Sequence, residues 1–337
     1  MAAVSRPAVV AAVGAELMAE FFTPADVERL RAAAQALGGD FVRVDRLADV
    51  PDLSSADVVV TSWGAPPFDA ALLDGMPRLE LVAHTGASVK AFVTDELFDR
   101  GIRVTQAGQA MARPVAEVSL TFTLVLLHRV AEMDHALHTP DGWYDVDAVG
   151  VQHQILDAPI AVVGASRTGR AYLQLIRALG ARPLLVDPTV GTAEAADLGA
   201  EKVELDEALR RARIVALHAP TVPETHHMVG ARELSLMPDG AGLVNTARSW
   251  LVDEPALEAE LRSGRLSAAL DVFDDEPFAA DSPLRALPNV LLTPHRAAGT
   301  VEGRRDQGRI VADEVEAFAA GRPLQHEVTR DRLAMMG

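Results

Sequence analysis

The chain has 337 residues, with 48 acidic side chains against 31 basic ones and a formal net charge of −17 at pH 7. Apolar residues make up 49% and charged residues 23%, which excludes a disordered or low-complexity chain, and at roughly 150 residues per domain the length suggests two domains. The acid excess argues against a protein that grips nucleic acid or an anionic membrane by bulk charge. The absence of cysteine excludes a disulfide framework, a thiolate nucleophile and Cys-ligated zinc, in keeping with a reducing cytoplasm.

The first apolar run, Ala8 to Ala15 after Arg6, reads as a buried strand, because Glu16 and Glu20 follow too soon for an export signal. Strands are predicted at Val9–Val13, Phe41–Val44, Val58–Thr61 and Leu81–His84, separated by helical patterns such as Pro24–Leu37, with Thr23 as its cap. Pro114–His135 reads as one long connecting helix; its apolar run Val118–Leu127 has ten residues, too few to span a bilayer. The polar segment His138–Gln154 reads as a crossover loop. A second series of strands follows Leu156, near Ile160–Val163, Pro183–Val186, Ile214–Leu217, Gly242–Asn245, Ala268–Val272 and Val290–Thr293. Strands alternating with helices imply parallel, doubly wound α/β sheets, two of them here. A last helix, Val301–Ala320, is stopped by Gly321 and Pro323 and leaves a polar tail. If that helix crosses back, the first domain is discontinuous, residues 1–112 with 305–337, and residues 113–304 form the second.

The strand Ile160–Val163 runs into Gly164-Ala165-Ser166-Arg167-Thr168-Gly169 and a helix from about Arg167 to Leu179. In this setting a glycine-rich turn sets helix N-terminal amides and the positive end of the helix dipole against a pyrophosphate. Gly164 would make the tight turn and Gly169 would let helix and strand pack closely. Ser166 takes the middle position usually held by glycine and narrows the approach to phosphate, and a plain strand-to-helix turn fits the six residues equally well. Asp187 tips the balance: it lies 18 residues after Gly169 at the end of the next strand, where a carboxylate accepts hydrogen bonds from ribose hydroxyls. The same carboxylate would repel a 2′-phosphate, and no Arg or Lys follows it through Leu198, so NAD is expected over NADP. The second domain is then a Rossmann dinucleotide-binding domain and the first a flavodoxin-like substrate domain.

Ligands of open α/β sheets sit at the strand carboxyl ends, and three charged residues of the second half follow predicted strands: Arg248, Glu276 and His295. Each has a structural alternative as a loop arginine, one of three solvated acids with Asp274 and Asp275, or a turn histidine. Together they supply the parts of a 2-oxoacid reductase. A guanidinium binds a carboxylate bidentately, an imidazole donates a proton to the developing alkoxide, and a carboxylate orients that imidazole and keeps it protonated.

The ordered motifs Leu217-His218-Ala219-Pro220 with Pro223-Glu224-Thr225, Val244-Asn245-Thr246-Ala247-Arg248, Leu270-Asp271-Val272-Phe273-Asp274-Asp275-Glu276-Pro277 and Thr293-Pro294-His295 resemble those of the D-isomer-specific 2-hydroxyacid dehydrogenases. The resemblance implies Arg248 as binder of the substrate carboxylate, Glu276 as the histidine's partner and His295 as acid/base. It also places Asp271, Thr246 and Ala247 near the nicotinamide carboxamide and Pro220 and Thr225 along the cofactor cleft. Backbone amides of a first-domain loop, here Thr85-Gly86-Ala87-Ser88, would hold the substrate carboxylate, and a homodimer is implied through the helix after Pro114. This sequence departs from the family in Ser166, in Ser249-Trp250 after the arginine, in a segment one residue shorter before Asp271, and in Lys90. Trp250 could reshape the substrate pocket, and Lys90 either adds affinity for an acidic substrate or lies on the surface.

Trp63 with Gly64 follows the strand Val58–Thr61, where a substrate-lining and a packing role are equally open. His226-His227 resembles a metal pair only superficially, since adjacent side chains on a helix diverge, and no metal is expected. His128, His135 and His138 read as surface residues of the connector. The leading expectation is an NAD-dependent reduction of a 2-oxoacid to a D-2-hydroxyacid in a cleft that closes over substrate, without nucleic acid or membrane partners. A dinucleotide-responsive binding protein with little turnover is the reading of a different class. Formate-oxidising relatives carry Gln where Glu276 stands, which ranks formate low; phosphite stays open.

Overall fold

A computed structural model describes residues 6–145, 149–334 and 336 of the chain. The outermost residues of the expected domain ranges (1–5, 335 and 337) and residues 146–148 of the expected crossover loop lie outside the described residues. In chain order the elements are β1 (Pro7–Ala12), α1 (Ala15–Phe21), α2 (Pro24–Ala36), β2 (Asp40–Val44), β3 (Val58–Thr61), α3 (Ala70–Asp74), β4 (Leu81–His84), α4 (Asp95–Asp99) and β5 (Arg103–Gln106). Next come α5 (Ala112–Leu127), α6 (Val130–Leu137), α7 (Gly142–Asp145), β6 (Pro159–Val163), α8 (Arg167–Ala178), β7 (Arg182–Val186), α9 (Thr192–Asp197), β8 (Glu201–Lys202), α10 (Leu205–Arg211) and β9 (Ile214–Leu217). The chain then forms α11 (Ala231–Leu236), β10 (Gly242–Asn245), α12 (Glu254–Arg262), β11 (Ser267–Leu270), β12 (Val290–Leu292), α13 (Val301–Ala319) and α14 (Arg330–Ala334). Two compact units result. One runs to Met111 and resumes at Gly299; the other is Ala112–Ala298.

In the first unit five parallel strands are ordered β2-β1-β3-β4-β5, the flavodoxin-like arrangement. The sheet is covered on both faces, so its strands are apolar throughout rather than alternating. Val9 and Ala11 face a core with Phe21, Leu30, Ile310 and Val315, whereas Val10 faces one with Leu73, Leu97 and Val104. Helix α2 starts in a capping box: Asp26 N donates to Thr23 Oγ1 (3.2 Å), and Thr23 N donates to Asp26 Oδ2 (3.0 Å). Helix α13 comes so close to the end of α1 that a Cβ on Gly308 would lie 2.0 Å from the Phe21 carbonyl oxygen. The polar tail after this helix is tied down. Glu327 bridges Thr105, receives two hydrogen bonds from Arg103 (2.8 and 2.7 Å), and is followed by the buried Val328.

In the second unit seven parallel strands are ordered β12-β11-β10-β9-β6-β7-β8. This is the Rossmann order with one strand added at the β12 edge. Ala161, Val163, Val215 and Leu217 point to one core, and Ile160, Val162, Ile214 and Ala216 to the other.

The connector expected as one helix is two. Between α5 and α6, Arg129 turns left-handed (φ 54°), and its guanidinium donates to Glu132 (2.9 Å), Ser267 (2.8 Å) and the Gly240 carbonyl (2.8 Å), contacts that offset the strained backbone. The ten-residue apolar run understated the helix before this break. Among the described residues the stretch Gly108–Leu127 is long and apolar enough to cross a membrane. It is a core helix, with Ala116, Phe122, Leu126 and Leu127 buried together with Tyr172, Leu173 and Ile176 of α8.

Candidate active site

All seven strands of the second unit run the same way, so the residues that follow them gather at one edge of the sheet. After β6, Gly164 takes φ 102°; a Cβ there would lie 2.5 Å from Ala219 N, and one on Gly169 would lie 2.1 Å from the Gly164 carbonyl oxygen. Both positions therefore exclude a side chain. Ser166 is the N-cap of α8, and its hydroxyl accepts from Gly169 N at 3.2 Å. The serine thus satisfies one first-turn amide itself and leaves those of Arg167 and Thr168 with no acceptor inside the helix. Asp187, after β7, reaches back to this turn: Oδ2 accepts from Ala165 N (2.7 Å), and Oδ1 accepts from Thr189 N (2.8 Å) and Thr189 Oγ1 (2.6 Å). Burial pushes its pKa up, but these hydrogen bonds and nearby Arg170 outweigh it and hold the carboxyl below its ordinary range. A carboxylate has about four lone-pair sites, so Oδ2 keeps one for a ribose hydroxyl. Turn, helix N-terminus and carboxylate fit the pyrophosphate and ribose of a dinucleotide.

After β10, Asn245 shapes the turn that carries Arg248: its Oδ1 accepts from Ala247 N (3.1 Å), and its Nδ2 donates to the Arg248 carbonyl (2.9 Å). Arg248 donates to the Ala247 carbonyl at 2.6 Å. Burial pushes its guanidinium below the usual value, and the charge of Glu276 opposes that shift. Among the described residues no carboxylate forms an ion pair with Arg248, so this cation is suited to an anionic ligand.

The loop after β12 places the imidazole. His295 adopts φ 51°, and its Nδ1 lies 2.8 Å from Glu276 Oε2, while Glu276 Oε1 accepts from Phe273 N (3.2 Å). With Nδ1 engaged by the carboxylate, Nε2 is the ring atom left for a substrate. Asp271, buried at the end of β11, accepts from Thr293 Oγ1, from Arg296 N (2.9 Å) and from Ala297 N (2.9 Å). Its carboxylate fixes the histidine loop, a role the sequence did not disclose.

Other sequence candidates are also occupied within the unit. The Thr246 hydroxyl lies 2.7 Å from Ser119 Oγ, and the Thr225 hydroxyl donates to the Pro220 (2.7 Å) and Val222 (3.0 Å) carbonyls, shaping the 220–225 loop. Trp250 turns toward that loop: Nε1 donates to the Val222 carbonyl (3.1 Å), and its ring packs against His226 (4.1 Å). The two histidines expected to diverge on a helix instead stack, centroids 3.9 Å apart, because His227 is left-handed (φ 49°) and the segment is not helical. No cluster able to hold a metal occurs among the described residues.

In the first unit the loop after β4 splits in character. Thr85 is fully buried: its amide donates to the Thr61 carbonyl (3.0 Å) and its hydroxyl to Ser62 Oγ (3.0 Å). The amides of Gly86, Ala87 and Ser88 meet no acceptor among the described residues, an arrangement suited to an anion. Lys90 is exposed.

The D-isomer specific 2-hydroxyacid dehydrogenase NAD binding domain matches residues 120–297. A D-3-phosphoglycerate dehydrogenase of Mycobacterium leprae is 35% identical over 302 residues, covering 87% of this chain and 56% of that protein, so the chain spans about half the length of such relatives. A glyoxylate reductase of Aeropyrum pernix is 33% identical over 271 residues, covering 78% of this chain and 80% of that protein. Among solved structures, a phosphoglycerate oxidoreductase of Rhizobium etli aligns with a TM-score of 0.73 and 26% identity over 96% of this chain and 99% of that one. The holo D-mandelate dehydrogenase of Rhodotorula graminis shares the fold, with a TM-score of 0.80 at 22% identity over 97% and 99% of the two chains. The glycine turn that opens an NAD-binding domain and the relatives that run through both units lead to one conclusion: the chain belongs to the D-isomer-specific 2-hydroxyacid dehydrogenase family.

Proposed function

We propose that the protein is an NAD-dependent oxidoreductase that reduces a 2-oxoacid to a D-2-hydroxyacid. The observation that carries this is the 2.8 Å pairing of His295 Nδ1 with Glu276, beside the partly buried Arg248, at the nucleotide edge of the second unit's sheet. In this reading the second unit is the NAD-binding domain and the first the substrate domain. Gly164, the amides of Arg167 and Thr168, Ser166, Gly169 and Asp187 hold the dinucleotide, with Pro220, Thr225, Thr246, Ala247 and Asp271 shaping the loops around it. Bound NADH supplies the hydride that goes to the substrate's C2. Arg248 binds the carboxylate and draws electron density from the neighbouring carbonyl; in the first unit, the amides of Gly86, Ala87 and Ser88 are assigned to a substrate carboxylate. His295 Nε2 hydrogen-bonds the carbonyl oxygen and delivers its proton as the alkoxide forms. Glu276 fixes the orientation of the imidazole, so the proton donor is aligned before the reaction. Nothing in the site favours a binding protein without turnover.

A cysteine-free chain of this family also suits the cytoplasm, and a homodimer is supported by the large exposed apolar side chains Leu137, Trp143, Val151 and Leu156 after the connector. The test of the reaction is His295→Ala. The variant keeps NADH binding in a fluorescence titration and loses turnover of 2-oxoacids by about 10²- to 10⁴-fold; turnover close to the parent's would overturn the assignment.

A further inference from the structure

Trp63 stands two residues beyond β3 in the first unit, and its neighbours brace it firmly. The Phe21 ring lies 5.4 Å from the indole at a tilt of 37°, and the Arg304 guanidinium carbon lies 4.4 Å from the indole centroid and 5.1 Å from that of Phe21. Arg304 belongs to the first turn of α13, where Thr300 caps the helix by accepting from Gly303 N (3.0 Å). Its side chain is only 12% exposed, and Nε is 3.8 Å from Glu20 Oε2. Despite this support, 49% of Trp63 is exposed.

The indole nitrogen has a defined neighbour. A Cβ on Gly86 would lie 3.5 Å from Trp63 Nε1, so the ring borders the loop whose free amides are assigned to the substrate carboxylate. A carboxylate seated there puts the substituent at C3 of a 2-oxoacid within reach of the indole. We infer that Trp63 is a specificity-determining wall for that substituent, and that it selects 2-oxoacids with a flat apolar side chain, aromatic ones above all. Three physical points support this. A braced aromatic loses little rotamer freedom when it packs against a ligand. A cation against the indole draws electron density from the ring and suits it to an electron-rich partner. A second anionic group at C3 would meet apolar ring surface, with the Arg304 charge covered by two aromatic rings and paired with Glu20. Arg304 acts through Trp63 and is a positioning residue.

This inference rests on the proposed reaction, and the test separates the two. kcat/KM is measured with NADH for phenylpyruvate, glyoxylate and oxaloacetate on the same preparations of parent, Trp63→Ala, Trp63→Phe, Arg304→Leu and Arg304→Lys. The parent prefers phenylpyruvate to oxaloacetate. Trp63→Ala lowers the phenylpyruvate-to-glyoxylate ratio by about 10- to 100-fold, with Trp63→Phe retaining part of it. Arg304→Leu lowers the same ratio, and Arg304→Lys, which keeps the charge without the planar stack, falls between. Because both substrates see the same active fraction, partial unfolding leaves the ratio unmoved. Glyoxylate turnover with a ratio unchanged in both Trp63 variants, or a parent preference for oxaloacetate, overturns the role of Trp63 alone. Reduction of none of the three acids overturns the reaction and this inference with it.

Discussion

Two histidines illustrate what burial does to single residues. His84 packs against Phe92, with Nδ1 3.0 Å from Thr61 Oγ1, and burial pushes its pKa down to about 4. His218 lies under the glycine turn, its two ring nitrogens meet no hydrogen-bond partner among the described residues, and burial pushes its pKa down to about 3. Both are neutral in the folded chain, whereas unfolded histidine titrates near 6.5. Below that pH the unfolded state binds protons first, so stability falls as pH drops from about 6.5 toward 4, by about 2 kcal/mol per histidine at pH 5. His218→Leu removes one of the two groups. Its melting temperature should therefore decline less than the parent's between pH 6.5 and 4, and curves of equal slope would refute the account. The same scale shows what a sequence discloses. Arg248, Glu276 and His295 were legible because each follows an apolar strand and together they match one chemistry. The burial of Thr85, the Asp271 clamp on the histidine loop and the stack of His226 on His227 depend on neighbours distant in sequence or on a left-handed turn, and no local pattern signals them.

Among elements, strands rich in Val, Ile and Leu were legible, because strands buried on both faces must be apolar throughout. Strand β5, Arg103–Gln106, mixes polar and apolar residues, and β8 has two residues, so neither produced a pattern. The break between α5 and α6 was hidden for another reason: it is held by contacts of Arg129 with Ser267 and Gly240, more than a hundred residues away. The packing of α13 yields a test at this scale. Gly308→Ala puts a methyl against the Phe21 carbonyl, and α13 must move from α1, at a cost of about 1–3 kcal/mol. The thermal transition of the first unit should fall while the affinity for NADH, assigned to the second, stays at the parent value. An unchanged melting curve would show that the two helices part without strain.

At the scale of the whole molecule, the α/β class was legible from the alternation of strands and helices. A homodimer is expected only through resemblance, since Leu137, Trp143 and Val151 give no periodic signal. Trp143 and Val151 are each 72% exposed, a large apolar area for a chain whose net charge of −17 otherwise favours solvation. Sedimentation should give twice the mass of one chain, and Trp143→Glu should shift the population toward single chains; a parent protein sedimenting as one chain would remove the homodimer proposal.

The chain leaves its first unit at Met111 and returns to it at Gly299. During synthesis, therefore, β1–β5 emerge without the helix that seals one face of their sheet, and Ile310 and Val315 reach that face only after residues 112–298 have been translated. At roughly 5–20 residues per second the delay is on the order of 10–40 s. For that interval the face of the sheet that carries Val9 and Ala11 is covered by α1 and α2 alone, while the contiguous second unit can already fold on the ribosome. The first unit is thus completed only after the second, and until then its half-covered sheet is open to non-native contacts.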